Sequence, residues 1–269
     1  LLPAIPELYF SCVSNRFSLA RRLRAGETIY SAWCRLAIPM IGEVLARYGF
    51  PAVTFDLQHG LFDFATTAAG IGAVHSVGSA PVVRIPVGDN ASASRLLDAG
   101  AEAVIAPMIN APEDASSFVS FMKYPPVGAR SWGPHRAIPL SGLNDREYLG
   151  SANELTLAFA MIETRAAFRN IVSIVETPGI DGVFVGPSDL SLTLSNGAVQ
   201  NPALPEVNAA LDVIADVAHK NGKIAGVHCA TAERAVELSR RGYRFLGVAN
   251  DLALLSTGSA AALKVLAGK

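Results

Sequence analysis

The sequence predicts an α/β fold in which eight parallel strands close into a single (β/α)8 barrel spanning residues 1–269. Three observations carry that expectation. Short apolar runs alternate with longer amphipathic stretches along most of the chain, and there are eight of them. The runs are apolar on both faces, as strands buried in a parallel sheet must be. Several helical stretches end in Gly or Asn-Gly before the next run, which is how a left-handed cap stops a helix.

Taken in order, the strands are TIYSAW (28–33), AVTFD (52–56), APVVRI (80–85), AVIAP (103–107), TLAFAMIE (156–163), GVFVG (182–186), IAGVH (224–228) and FLGVA (245–249). Helical periodicity falls at 39–48, 64–77, 91–99, 111–121, 165–176, 205–221, 231–241 and 252–266. Alternation of this kind indicates a parallel sheet, and eight units indicate a TIM barrel. One stretch interrupts it. Residues 123–153, KYPPVGARSWGPHRAIPLSGLNDREYLGSAN, carry four prolines and four glycines and no strand period. An insert of that length is expected to serve function or assembly, near the barrel mouth or a subunit interface.

Composition narrows the function. The 269 residues are 51% hydrophobic and 17% charged, enough for one large core, and the formal net charge is −1. Mean hydropathy is +0.34. With no basic run, a nucleic-acid surface is not expected. No apolar stretch is long enough to span a membrane. The start LLPAIPELYF has neither a basic region nor a cleavage site of the secretory kind. Cys12, Cys34 and Cys229 are odd in number and far apart, giving neither a disulfide framework nor zinc spacing. A cytoplasmic protein is expected.

In a barrel of this type the C-terminal strand ends converge on the active site. Strand two ends FDLQHG, presenting Asp56, Gln58 and His59; strand three carries Arg84; strand five ends at Glu163; strand six runs into GPSDL, with Asp189. Two carboxylates on neighbouring strands suit a hard divalent ion, magnesium or manganese, with positions left for water or substrate. Each residue also has an ordinary reading. Asp189 serves as a helix cap, Glu163 caps the next helix or pairs with Arg165, His59 is a loop histidine, and Arg84 makes a structural ion pair. The joint placement at four strand ends favours function. His228, ending strand seven, is a reserve candidate. None of Lys123, Lys220, Lys223, Lys264 and Lys269 lies in a strand, so a Schiff-base amine is not expected. No GxxxxGK[ST] or GxGxxG loop is present for nucleotide phosphates.

The motifs FDLQHG, PVVRIP, LLDAGAEAVIAPMINAPEDA, KYPPVGARSWGP, MIETRAA and DGVFVGPSDLS, in this order from about residue 17 to the end, resemble the HpcH/HpaI family of metal-dependent class II pyruvate aldolases. The resemblance implies a modified barrel whose last helix is exchanged between subunits, assembled as a homo-oligomer, usually a hexamer built as a trimer of dimers. It implies Glu163 and Asp189 as metal ligands, with Co2+ a further candidate ion. His59 is implied as catalytic base, Arg84 as the pyruvyl-binding arginine and Asp98 as the aspartate paired with the histidine. Asp56 and Gln58 are implied to stand behind the metal site, Gly186 and Ser188 to offer backbone N–H groups to a carboxylate, and Trp33 to form an aromatic wall. Gln58 and Met161 depart from members that carry Glu and Gln there.

The activity so implied is reversible cleavage of a 4-hydroxy-2-oxo acid to pyruvate and an aldehyde through a metal-stabilised enolate. The alternatives are a CoA-thioester lyase of the citrate-lyase β type, an oxaloacetate decarboxylase, and a non-catalytic 2-oxo acid binding protein.

Overall fold

The computed structural model describes residues 17–248 and 250–268. Cys12, Lys269 and the strand-end Ala249 lie outside them. The strands are β1 (Ile29–Cys34), β2 (Ala52–Asp56), β3 (Ala80–Arg84), β4 (Ala103–Ala106), β5 (Leu157–Ile162), β6 (Gly182–Val185), β7 (Ile224–Cys229) and β8 (Phe245–Val248). All run parallel, each beside the next, and β8 closes on β1 with Ile29 opposite Phe245. This is the expected closed barrel.

Period-two alternation sorts the strand side chains. Inward positions such as Ile29, Val82, Phe159, Phe184 and Phe245 form one buried cluster inside the barrel, while outward ones such as Val53, Val83 and Val185 pack under the helices. The interior is aromatic-rich: Phe159 stacks on Phe245 and Trp33 on Phe184, with centroids 5.2 and 5.7 Å apart. Glycines make the room. A Cβ at Gly182 would lie 2.6 Å from Phe159, one at Gly226 2.8 Å from Phe184, and one at Gly247 2.7 Å from Trp33.

The helices are α1 (Leu19–Arg24), α2 (Pro39–Arg47), α3 (Phe64–Ser76), α4 (Asn90–Asp98), α5 (Pro112–Met122), α6 (Ala137–Ser141) and α7 (Asp145–Leu155). They continue with α8 (Arg165–Arg169), α9 (Ile171–Glu176), α10 (Pro187–Leu194), α11 (Pro205–Lys220), α12 (Ala232–Arg240) and α13 (Asp251–Leu266). Four of these do not show in the periodicity. α1 and α6 are too short to display one. α7 is announced instead by a capping box, in which Asn144 accepts from Glu147 N–H and Glu147 accepts from Asn144 N–H. α10 is started by Pro187 at its first position. The helix expected over 165–176 is broken at Asn170, whose amide is drawn to the carbonyl of Asn110.

α1 plugs the N-terminal end of the barrel: Leu19, Ala20 and Leu23 join the interior cluster. Glu102, at the start of β4, accepts from the N–H groups of Ser18 and Leu19 at 2.9 and 2.8 Å and so holds the plug. The 123–153 insert is anchored at this same end, not across the mouth. Lys123 is buried and gives its ammonium to the carbonyls of Asn153 and Thr156 and to Asp181. α13 is different from the other long helices. Apart from Asp251 its residues are exposed, including Leu252, Leu255, Leu263 and Leu266.

Candidate active site

Alternation along the strands turns Trp33, Asp56 and Arg84 inward near the C-terminal end of the barrel. Asp56 and Arg84 are register partners on β2 and β3. Arg84 donates Nε to Asp56 Oδ1 at 2.9 Å and Nη2 to Oδ2 at 2.5 Å. Trp33 Nε1 adds a bond to Oδ2 at 3.2 Å, and the backbone N–H groups of Gln58 and His59 both reach Oδ1 at 3.1 Å. Burial works against the Asp56 charge, but the Arg84 bonds and charge, with those N–H groups, hold its carboxyl below the usual range. The guanidinium also lies 5.1 Å from the Trp33 ring centre. Asp56 therefore fixes both the arginine and the turn that begins the QHG segment.

Glu163 follows β5 and is buried. Its Oε1 accepts the Met108 N–H at 2.8 Å. Burial raises its pKa to about 7; the Met108 bond opposes that, Asp189 nearby adds to it, and Arg84 opposes it. Asp189 stands in the first turn of α10, where a carboxylate is favoured. Gly186 precedes the helix against Glu163: a Cβ there would fall 2.6 Å from Met161 Cε and 2.7 Å from Glu163 Oε2. Asp189 is not the cap of α10, which is Gly186, and the ordinary reading of Glu163 fails. Thr164, not Glu163, caps α8, and Arg165 bonds the carbonyls of Thr193 and Leu194. The ordinary reading of Arg84 holds in part, because its ion pair with Asp56 is real.

Trp33, Asp56, Arg84, Glu163, Gly186, Ser188 and Asp189 thus gather at one mouth, with Gln58 and an exposed His59 on the turn after β2. The Gly186 N–H is directed to the Ile162 carbonyl at 3.4 Å, so of the two backbone donors expected here Ser188, in the open first turn of α10, is the available one. Asp98 is not brought to His59 within one chain. It ends α4, on the return path from mouth to base, and its Oδ1 accepts from Arg130 at 2.6 Å.

Two contributors, Met108 and Arg35, carry no local signal in the sequence, and the reserve candidate His228 also reaches the site. Met108 places its N–H on Glu163 from a left-handed backbone, φ +56°; such a conformation costs a non-glycine residue about 1–2 kcal/mol. Arg35 brings Nε to 3.7 Å from Asp56 Oδ2. His228 packs edge-on against Trp33 at 4.9 Å between centroids.

The donor set fits a hard divalent ion. Two adjacent carboxylates, one buried and without an ion-pair partner among the described residues, leave negative charge that a cation would neutralise. Among those residues no group of three or more His, Cys, Asp or Glu is placed to bind a metal, so an ion here would draw its other ligands from water and substrate.

A profile of the HpcH/HpaI aldolase/citrate lyase family matches residues 30–257. The chain belongs to this family. As an HpcH/HpaI protein it is 38% identical over 242 residues to a hydroxypyruvate/pyruvate aldolase of Rhizorhabdus wittichii, covering 90% of this chain and 94% of that one. It is 34% identical over 239 residues to a 4-hydroxy-2-oxo-heptane-1,7-dioate aldolase of Salmonella dublin, covering 89% and 90%. Its barrel superposes on the crystal structure of an HpcH/HpaI family protein from Burkholderia cenocepacia J2315 with a TM-score of 0.84 and 29% identity, over 93% of this chain and 98% of that one. The protein is an enzyme of the aldolase branch of the HpcH/HpaI family.

Proposed function

We propose that the protein is a metal-dependent class II aldolase that reversibly cleaves a 4-hydroxy-2-oxo acid to pyruvate, or a close 2-oxo acid, and an aldehyde. The observation that carries this is the Glu163–Asp189 pair facing Arg84 and Trp33 at one barrel mouth. The names of the relatives support the same donor chemistry.

Glu163 and Asp189 would hold Mg2+ or Mn2+, with Co2+ compatible. Such an ion supplies Lewis-acid polarisation of the 2-oxo oxygen, worth several kcal/mol. Arg84 spends Nε and Nη2 on Asp56, which leaves Nη1 to donate to the enolate oxygen as charge develops. The Ser188 N–H orients the carboxylate, and Trp33 walls the pyruvyl group. His59 takes the proton of the 4-hydroxyl in cleavage and returns it in synthesis, a role suited to a group whose ordinary pKa is about 6.5. Gln58 stands beside it on the turn.

Asp98 is assigned to the His59 of a neighbouring copy, because one chain keeps the two apart. The unburied leucines of α13 support an assembly, read as a hexamer built as a trimer of dimers, in which that helix packs on a neighbour. Among the described residues no helix is long and apolar enough to cross a membrane. Cys34 and Cys229 are free buried thiols, in keeping with a cytoplasmic location.

The test is a coupled assay of pyruvate release over a panel of 4-hydroxy-2-oxo acids, with chelator and with metals restored. Activity should vanish on chelation and return with Mg2+ or Mn2+. His59→Ala should slow cleavage by roughly 100- to 10,000-fold while sparing exchange of the pyruvate methyl protons. Activity that survives exhaustive chelation would overturn the metal role. Turnover of oxaloacetate or a CoA thioester alone would move the protein to another branch of the family.

A further inference from the structure

One cavity among the described residues lies away from the catalytic mouth. It opens at the opposite end of the barrel, has a volume of about 600 Å³, and is lined by the first residues of β7, Ile224 and Ala225. A four-residue strand such as β6, rising ~3.3 Å per residue, separates the two ends by roughly 10–15 Å. The volume is in the range of roughly 300–1,000 Å³ usual for small-molecule sites.

Its charges are one-sided. Arg24, Lys223 and Arg244 line it, against Asp181 as the single carboxylate. Asp181 is already matched: Oδ2 takes the buried Lys123 ammonium at 2.6 Å and the Ala158 N–H, and Oδ1 takes Arg24 at 2.8 Å. The cations are tethered through carbonyl oxygens. Lys223 donates to Ile180 at 2.7 Å, Arg24 Nη1 to Glu154, and Arg244 Nη1 to Ser239 and Tyr243. Those bonds explain why cations stand beside the loop and helix ends of the barrel base. They do not consume the donors. Among the described residues two Lys223 protons and the Nε and Nη2 of Arg244 have no acceptor. The chain carries a formal net charge of −1, so this local excess of positive charge is a feature of the cavity and not of the surface as a whole.

We propose that this basal cavity binds a compact phosphate dianion, and in particular the phosphate of a small monoester, at a site separate from the catalytic one. An ammonium and a guanidinium on tethered side chains suit a tetrahedral oxyanion with several acceptor oxygens. The size of the cavity leaves space for the organic part of a monoester beyond its phosphate.

Calorimetry on the full chain tests this. Chelator is present throughout, so that phosphate cannot report on a metal at the mouth. The probes are inorganic phosphate and glycerol 3-phosphate, with glycerol as the uncharged control. Both phosphates should bind saturably at physiological ionic strength, the monoester more tightly and glycerol not at all. Lys223→Gln and Arg244→Gln should each weaken binding by about tenfold, the loss of one charge-assisted contact. Glu163→Gln at the mouth should leave it unchanged. If Arg244→Gln does not fold, Lys223→Gln alone carries the test. Tighter binding of inorganic phosphate than of the monoester would still support the site and identify the free ion as its ligand. Absence of saturable binding, or affinity equal in wild type and Lys223→Gln, would overturn the proposal. Because the readout is binding without catalysis, failure here leaves the aldolase assignment standing, and failure of that assignment leaves this site standing.

Discussion

Arg84 is locked to Asp56 by two hydrogen bonds across adjacent register positions of β2 and β3, with both side chains buried. Removing one member of such a pair leaves the other charge without compensation. Asp56→Asn should therefore destabilise the fold by about 3–5 kcal/mol, equivalent to a fall in Tm of roughly 6–20 °C for a domain of this size. Thermal unfolding of the metal-free protein measures it. A Tm within a degree of wild type would mean that solvent already screens the pair.

Gly186 makes a sharper prediction about the carboxylates. An added methyl would press on Met161 Cε and Glu163 Oε2, both inside 2.8 Å. Gly186→Ala should cost about 1–3 kcal/mol through overpacking and displace Glu163. Mn2+ affinity, read by electron paramagnetic resonance, should fall while the circular dichroism of the barrel is kept. Unchanged Mn2+ affinity would remove Glu163 from the ligand set.

Glu102 gives the pH dependence. It is fully buried, and burial raises its pKa from 4.5 to about 7 despite the opposing bonds from Leu19 and Ser18. The folded pKa exceeds the unfolded one, so the folded state binds the extra proton between those values. The contribution is complete below pH 4.5, falls as pH rises through 7, and is then constant. Its size is on the order of 3 kcal/mol. Glu102→Gln should flatten the stability difference between pH 5 and pH 8 relative to wild type in urea titrations. Parallel pH curves for the two proteins would refute it.

For α13, burying Leu252, Leu255, Leu263 and Leu266 on a neighbouring copy would contribute about 1.5–3 kcal/mol each before entropy. Deletion from residue 252 onward should convert the proposed oligomer to smaller species in light scattering and lower activity. A truncated protein that stays a fully active oligomer contradicts the helix exchange.

The barrel was legible because parallel strands are apolar on both faces and helices are not, a contrast that survives in one dimension. Asp56, Arg84, Glu163 and Asp189 were legible because each directly ends a strand or follows one. What stayed hidden depends on the third dimension. Nothing local in PMIN marks Met108 as the donor to Glu163, since its left-handed turn is set by what surrounds it. Asp98 looks equivalent to the other acids until α4 carries it away from the mouth. The insert's placement at the base rests on Lys123 reaching carbonyls that are 30 and 33 residues further along the chain.

The pairing of β1 with β8 joins residues 29–32 to residues 245–248. A ribosome making about 5–20 residues per second releases the second partner long after the first. Until then the first strand has one free edge, and an unpaired apolar edge attracts other chains. β1 can pair early with β2, and α1 can cover the base, so most of the interior can assemble while translation continues. The barrel itself cannot close until β8 has been made. The interval before β8 is made and docks is therefore when the nascent protein is most exposed to aggregation or chaperone capture.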